Sequence, residues 1–311
     1  MKRRMQIAIA VCLGALPVLA ESINPATVPK TVPMSAAEKK NLQFAENWWR
    51  EVIQARHLEL SPKYQVEDYI QHNPTIPTGR AAFIAMFGQR PAVNPIPAKL
   101  DPAPVVAGAK GDFVWMIWER EEKDPRDASK TYHYNTFDVV RIENGKIQEH
   151  WDSNQRVPGS KEGGSPITGI AKGSTGKVSA DEKKNIALMT EEMKDMLQYG
   201  HLELADKTMD PGYIQHNPNV PQGREGFKQF MSRVPGRVPE PVKPEWKAPP
   251  VLTLANGPFV FMMWDRKAKD PSDPGKEYTW NHFDVVRVEK GLIKEHWDEA
   301  RIAAPQPQGK Q

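Results

Sequence analysis

Two sets of acidic and imidazole side chains recur at matching spacing in this 311-residue chain: Asp138, His150 and Asp152, then Asp284, His296 and Asp298. Their surroundings are nearly identical. Residues 137–152 read FDVVRIENGKIQEHWD, and residues 283–298 read FDVVRVEKGLIKEHWD. A carboxylate enclosed by apolar side chains loses hydration and its pKa rises, and a second carboxylate nearby raises it further. Such a group becomes a base of useful strength, contributing roughly 10²–10⁴-fold in rate when a substrate proton lies within reach. A histidine beside it can donate to the oxygen of a developing enolate. Proton transfer on a carbonyl compound is the chemistry these residues offer. The plainer alternative is a buried Asp–His pair that only satisfies its own polar atoms.

For these groups to meet, each stretch must fold as a strand, a tight turn and a second strand, as its β-branched and aromatic residues around a glycine predict. A type I′ turn needs positive φ at both central residues. Asn144-Gly145 suits it and Lys290-Gly291 suits it poorly. A three-residue loop ending in glycine suits both copies, Glu143-Asn144-Gly145 and Glu289-Lys290-Gly291. This register sets Asp138 opposite His150 and Asp284 opposite His296. Alternation then gives Asp138, Val140, Gln148, His150 and Asp152 to one face, and Phe137, Val139, Arg141, Ile147, Glu149 and Trp151 to the other.

The whole unit is written twice. Ser35 and Glu38 form a capping box opening a helix with an apolar stripe of Leu42, Ala45, Trp48, Trp49 and Val52. Ser179 and Glu182 repeat it, and His57/His201, Tyr69/Tyr213, His72/His216 and Gly79/Gly223 keep the same offset. Tyr69-Ile-Gln-His-Asn-Pro74 and Tyr213-Ile-Gln-His-Asn-Pro218 follow, where the residue before proline marks a turn out of a short helix. Gly79-Arg80 and Gly223-Arg224 start another short helix. Proline-dense passages over 91–104 and 235–250 read equally as a stiff cover near a pocket mouth or as a solvated connector. The apolar runs 113–118 and 259–264 read as strands buried on both faces. A glycine-rich linker over 155–177 separates domains at 35–154 and 178–304, leaving a lead over 21–34 and a tail over 305–311.

Composition narrows the setting. Lys2, Arg3 and Arg4 precede an apolar run from Ile7 to Leu19, and Val18 and Ala20 suit cleavage before Glu21; residues 1–20 read as a signal peptide. The only cysteine, Cys12, lies within it, so the mature chain carries no disulfide. The formal charge of +3 equals that of the leader, which leaves a neutral mature protein and no field for nucleic acid or membrane. Export without disulfides predicts a periplasmic or secreted protein.

A helix, short helices and then an antiparallel sheet is the order of an α+β cone. Tyr-Ile-Gln-His-Asn-Pro followed by Gly-Arg, and the repeated FDVVR hairpin ending in Glu-His-Trp-Asp, resemble the SnoaL-like, polyketide cyclase-like branch of the NTF2-like superfamily. The resemblance covers nearly all of both repeats. It implies two tandem NTF2-like cones, each a curved antiparallel sheet wrapped around helices. It also implies a pocket for a small hydrophobic carbonyl-type ligand and acid/base catalysis without metal or cofactor. In cyclases of this family an aspartate on the last strand is the acid/base, matching Asp152 and Asp298, with His150 and His296 as donors. The partner on the preceding strand, often histidine there, is aspartate here (Asp138, Asp284). Family members commonly pair across the outer sheet face, so the two repeats are expected to form that pair within one chain.

The remaining pocket candidates are Trp118, Trp264, Tyr134, Trp280, Thr136 and His282. The last four differ between copies at matching positions, which predicts different ligand preferences or one inactive site. His72 and His216 beside Asn-Pro read equally as ligand contacts or as braces of the turn. A metal held by His72, His150 and Asp152 is the sharpest alternative, but no short His spacing supports it and no metal is expected. Arg141, Glu149, Arg287 and Glu295, with Trp151 and Trp297, read as the contact between the sheets.

Overall fold

The structure, a computed structural model, describes residues 32–89, 93–160 and 173–303. The expected signal peptide and tail, most of the expected lead and part of the expected linker lie outside the described residues. Each repeat contains the same elements. In the first, Ser35 caps α1 (Ala36–Trp48): its hydroxyl accepts from the Glu38 amide at 3.3 Å and its own amide donates to Glu38 Oε2 at 2.7 Å. A single π turn, Trp49–Gln54, extends α1. Then come α2 (Ser61–Tyr64), β1 (Gln65–Gln71), α3 (Arg80–Phe87), β2 (Val106–Lys110), β3 (Phe113–Asp124), β4 (Asp127–Glu143) and β5 (Lys146–Asp152). The second repeats them as α4 (Ala180–Thr190), a π turn Glu191–Met196, α5 (Ala205–Thr208), β6 (Met209–Gln215), α6 (Arg224–Ser232), β7 (Leu252–Asn256), β8 (Phe259–Asp270), β9 (Asp273–Glu289) and β10 (Leu292–Asp298). The sheet orders are β1-β5-β4-β3-β2 and β6-β10-β9-β8-β7, with β1 parallel to β5 and β6 parallel to β10. This is the expected α+β cone, built twice.

The hairpin register differs from the expected one. Glu143 pairs with Lys146 and Glu289 with Leu292, so both loops have two residues. Asn144 and Gly145 take φ of 52° and 69°, and Lys290 and Gly291 take 52° and 75°, the type I′ pattern. Lys290 accepts a backbone conformation that its Cβ disfavours because the twist of the flanking strands demands it. A bulge then adds one residue, Gln148 or Lys294, to the second strand. The turn slips the register by one and the bulge by one more. Asp138 therefore faces Asp152, and Val140 faces His150. Because the total slip is two, Asp138, His150 and Asp152 still share a face. Ile147 is the casualty: expected outside, it packs inside with Val140 and Ile142. Gln148, expected inside, instead bonds the Glu143 and Lys146 carbonyls at the turn.

Two other expectations change. Tyr69-Ile-Gln is the end of strand β1, not a helix exit. The proline passage straps the helical layer, with Arg50 Nη1 donating to Pro97 O at 2.9 Å and Tyr199 Oη to Glu245 O at 2.8 Å. Of the described residues, none from this passage lines the cavity described below.

The outer sheet faces dock on one another. Trp115, Phe137, Val139 and Trp151 share one core with Phe259, Phe261, Phe283, Val285 and Trp297. Phe137 and Phe283 stack with centroids 5.4 Å apart and planes 1° from parallel. The Trp115 indole donates to Asn256 Oδ1 at 3.0 Å, and a Cβ on Gly108 would sit 2.6 Å from that indole. The pair expected from the sequence is thus made within one chain. Its polar contacts are not those expected: Arg141 bonds Glu149 inside its own repeat at 2.6 Å, as Arg287 bonds Glu295 at 2.5 Å. The ion pairs that cross are Lys110–Glu182 at 2.8 Å, Arg156–Asp270, and Arg301–Glu122 at 3.2 Å. Among the described residues no helix is long and apolar enough to cross a membrane. A shared core of this size predicts that both repeats unfold in one transition by guanidinium denaturation. Phe137→Ala should lower stability by about 3–5 kcal/mol without splitting that transition.

Candidate active site

Strand β1 places one polar side chain next to another. Tyr69, Gln71 and then Asn73 alternate inward, and parallel pairing sets Gln71 beside His150. Gln71 Nε2 lies 3.0 Å from His150 Nδ1 and 3.1 Å from Tyr69 Oη. Its Oε1 accepts the Asn73 amide at 3.0 Å, which fixes the orientation of the carboxamide. Gln71 therefore donates to His150 Nδ1, and the imidazole carries its proton on Nε2. That nitrogen points at Asp138 Oδ1, 3.0 Å away. The result is a neutral His150 donating to one oxygen of Asp138. Trp48, Trp49 and Trp118 wall this end: both α1-side indoles meet His150 edge-on at 5.7 and 5.4 Å, and Trp49 stacks on Trp118.

The two aspartates differ in what holds them. Asp152 accepts Asn73 Nδ2 on both oxygens at 2.9 and 2.8 Å, and its Oδ1 also takes the amide and side chain of Asn154, both at 3.0 Å. Asp138 receives the one bond from His150 and keeps 14% of its side chain exposed. Burial pushes Asp138 up to about 6, against the opposing pull of His150.

The second repeat keeps the frame and differs in three residues that bear on its histidines. Glu192 stands where Trp48 does, His282 where Thr136 does, and Glu299 where Ser153 does. His296 Nε2 lies 2.8 Å from Asp284 Oδ1, while its Nδ1 meets Tyr213 Oη at 2.9 Å and Glu192 Oε1 at 3.4 Å. His282 Nε2 lies 2.9 Å from Asp284 Oδ2, and its Nδ1 bonds Glu299. Hydrogen bonds join His296, Asp284, His282 and Glu299 in a row, with Glu192 as a charge contact at its far end. Burial works against charge on His282, but Glu299 and Asp284 outweigh it and lift the ring to about 10. Burial likewise opposes charge on His296, which Glu192 and Asp284 raise well above the usual imidazole range. Asp284 is buried too, and the two imidazoles hold it below the usual carboxylate range. Burial pushes Glu299 upward.

A cavity of about 1540 Å³ opens on this chain. Trp280, His282, Asp284, His296, Asp298 and Glu299 are among the residues that line it. Thr75, Ser153 and Asn154 of the first repeat also line it, and Thr75 and Asn154 are bonded to the Asn73–Asp152 pair. Met86 and Ala82 of α3 line it as well.

Other expected residues sit elsewhere. His72 and His216 point to the outer face, because a strand sends neighbours to opposite sides. Their rings stack on Trp151 and Trp297 at 4.5 Å, and His72 Nε2 meets Glu149 Oε2 at 3.1 Å. They brace the sheet and are not pocket residues. Tyr134 bonds Glu122 at 2.7 Å under the Arg301 guanidinium and packs with Ile302, a contact between repeats and not a ligand contact. Thr136 accepts from Arg120 Nε at 3.1 Å. Trp264 lies 5.7 Å from His282, centroid to centroid. Gln71, Asn73, Glu192 and Glu299 were not anticipated. Reading Tyr69–Gln71 as a strand finds the first two, and aligning the repeats finds the others.

Asp138, His150 and Asp152, like Asp284, His296 and Asp298, bring ligand atoms within 4.8 Å of one another. The hydrogen bonding does not suit a metal. His150 would need its Nε2 lone pair, hence a proton on Nδ1 facing the Gln71 amide. Turning that amide would forfeit the Asn73 bond to Oε1.

The SnoaL-like domain model matches residues 45–150 and 190–296, more than half of the chain. The protein belongs to the SnoaL-like family. No curated protein matches. Solved structures similar to it include TsrD from Streptomyces laurentii, at 21% identity over 39% of this chain and 90% of that one, with a TM-score of 0.29. An LEH-like epoxide hydrolase from M. tuberculosis matches at 16% identity over 38% and 82%, TM-score 0.28. An NTF2-like protein of unknown function from Mesorhizobium loti matches at 14% over 40% and 97%, TM-score 0.29. Each matches about one of the two SnoaL-like domains.

Asp138 gives a pH signature. Its folded pKa of about 6 exceeds the ordinary 3.8, so between those values the folded state keeps a proton that the unfolded state has released. Its contribution is full below about pH 4 and is lost as pH rises through about 6. Melting temperatures of Asp138→Asn, relative to the parent, should rise across that interval.

Proposed function

We propose that this SnoaL-like protein is a cofactor-independent enzyme that moves a proton on a small carbonyl compound, as in isomerisation or cyclisation. Asp138 is the base. The observation that carries this is His150 on Asp138 Oδ1, which leaves Oδ2 with no hydrogen bond among the described residues, on a side chain that keeps 14% exposure. A carboxyl poised at about 6 combines a large ionised fraction near neutral pH with real basicity. Oδ2 takes a proton from the carbon next to the carbonyl, and the same carboxyl returns it to the rearranged product. His150 stays neutral and orients the carboxylate. The expectation from the family placed the base at Asp152; the four contacts on Asp152 favour a positioning role for it, fixing Asn73 and so the Gln71 carboxamide.

Family membership supports small-molecule binding or catalysis, and the cavity beside the second centre supports the same. The basic, apolar leader supports export to the periplasm or medium, which fractionation with an antibody to the mature chain tests; a full-length cytoplasmic product would overturn it. A thermal-shift screen of cyclic ketones and β-dicarbonyl compounds finds candidate substrates. On a substrate so found, Asp138→Asn should lower turnover by roughly 10²–10⁴-fold while circular dichroism stays that of the parent. Unchanged turnover would refute Asp138 as base.

A further inference from the structure

The same aspartate is held differently in the two repeats, and the difference is covalent in origin. In the first, Asp138 meets one imidazole through one oxygen. The groups facing it are His150 and Asp152 from β5, Arg120 from β3 and Tyr69 from β1. In the second, both oxygens of Asp284 meet imidazoles, His296 on Oδ1 at 2.8 Å and His282 on Oδ2 at 2.9 Å. The groups around it are His282 on β9, His296 and Asp298 on β10, Tyr213 on β6, Glu299 just beyond β10, and Glu192 in the π turn after α4. Each imidazole in turn leans on a further carboxylate, Glu192 or Glu299. Two residues complete the clamp on the cavity side, His282 and Glu299, and the first repeat has Thr136 and Ser153 in their places.

We propose that His282 and Glu299 retire Asp284 from proton transfer and make the second cone a holding site for the carbonyl compound, leaving proton abstraction to the first. A carboxylate that already accepts from an imidazole on each oxygen is held in place, and protonating either oxygen would cost one of these charge-assisted hydrogen bonds. The cavity supplies the place of holding: its lining includes His282, Asp284 and Glu299 together with Thr75 and Asn154, which are bonded to the Asn73–Asp152 pair of the other repeat. His282 and Glu299 are positioning residues here. This inference rests on Asp138 being the base, but its test does not use turnover.

The test is side-chain carboxyl NMR of the full chain labelled with ¹³C-aspartate. Asp138 should titrate with a midpoint near pH 6, and Asp284 should show no step from pH 8 down to about 4. In H282T/E299S, which installs the first repeat's residues, Asp284 should gain a step between about pH 5 and 7. In the reciprocal variant, T136H/S153E, the Asp138 step should move below about pH 4. Parent Asp284 titrating alongside Asp138 overturns the proposal without either variant. So does an Asp284 that stays silent in a folded H282T/E299S. Loss of the Asp138 role would appear separately, as unchanged turnover in Asp138→Asn with these titrations intact.

Discussion

A charged group withdrawn from water must be met by another group, and that constraint organises this molecule more than any single packing contact. Each cone buries several carboxylates on both faces of its sheet. Outside, Glu149 is fully buried and survives because Arg141 and His72 reach it together. Between the repeats, Lys110 and Glu182 meet within a mostly apolar interface. Inside, Asp138 has a histidine on one oxygen and Asp284 has one on each. The same rule gives bracing in one place and reactivity in the other. What separates them is how completely the charge is answered.

The duplication shows this at the level of single residues. Backbone, turns, bulges and register are shared, so the two aspartates occupy equivalent points of equivalent frames. Trp48 against Glu192, Thr136 against His282 and Ser153 against Glu299 then decide whether the central carboxyl is incompletely or fully paired. Replacing an indole by a carboxylate next to a histidine converts an aromatic wall into the anchor of a charge chain. Fusion into one chain permits this divergence, since a symmetric pair of identical subunits must carry the same substitution twice.

Much of the frame could be read from residue patterns. The capping boxes, the buried runs at 113–118 and 259–264 and the repeat offset are local signals, and each has its structural counterpart. The hairpin was harder. Choosing its loop from glycine chemistry alone favoured three residues, since lysine at positive φ is costly. Strand twist outweighs that cost, and the bulge at Gln148 or Lys294 has no signature in sequence because it answers the parallel strand laid alongside. The inward face survived only because two one-residue displacements added to an even number. His72 went astray for a related reason: taken as a helix exit, its motif gave no basis for alternation, and as a strand it sends the histidine outward and the glutamine and asparagine in.

The sequence by itself determined the kind of protein this is: a doubled cone with acids and imidazoles at matching positions, because periodicity, capping and repetition are encoded by neighbours along the chain. Tertiary structure alone decided how each acid is paired. Hydration, the number of donors on each oxygen and the tautomer of His150 depend on groups from four or five separate elements meeting at one point. Gln71, far from His150 along the chain, sets that tautomer only because β1 lies parallel to β5. Proton affinity is a property of that meeting, and no stretch of the chain contains it.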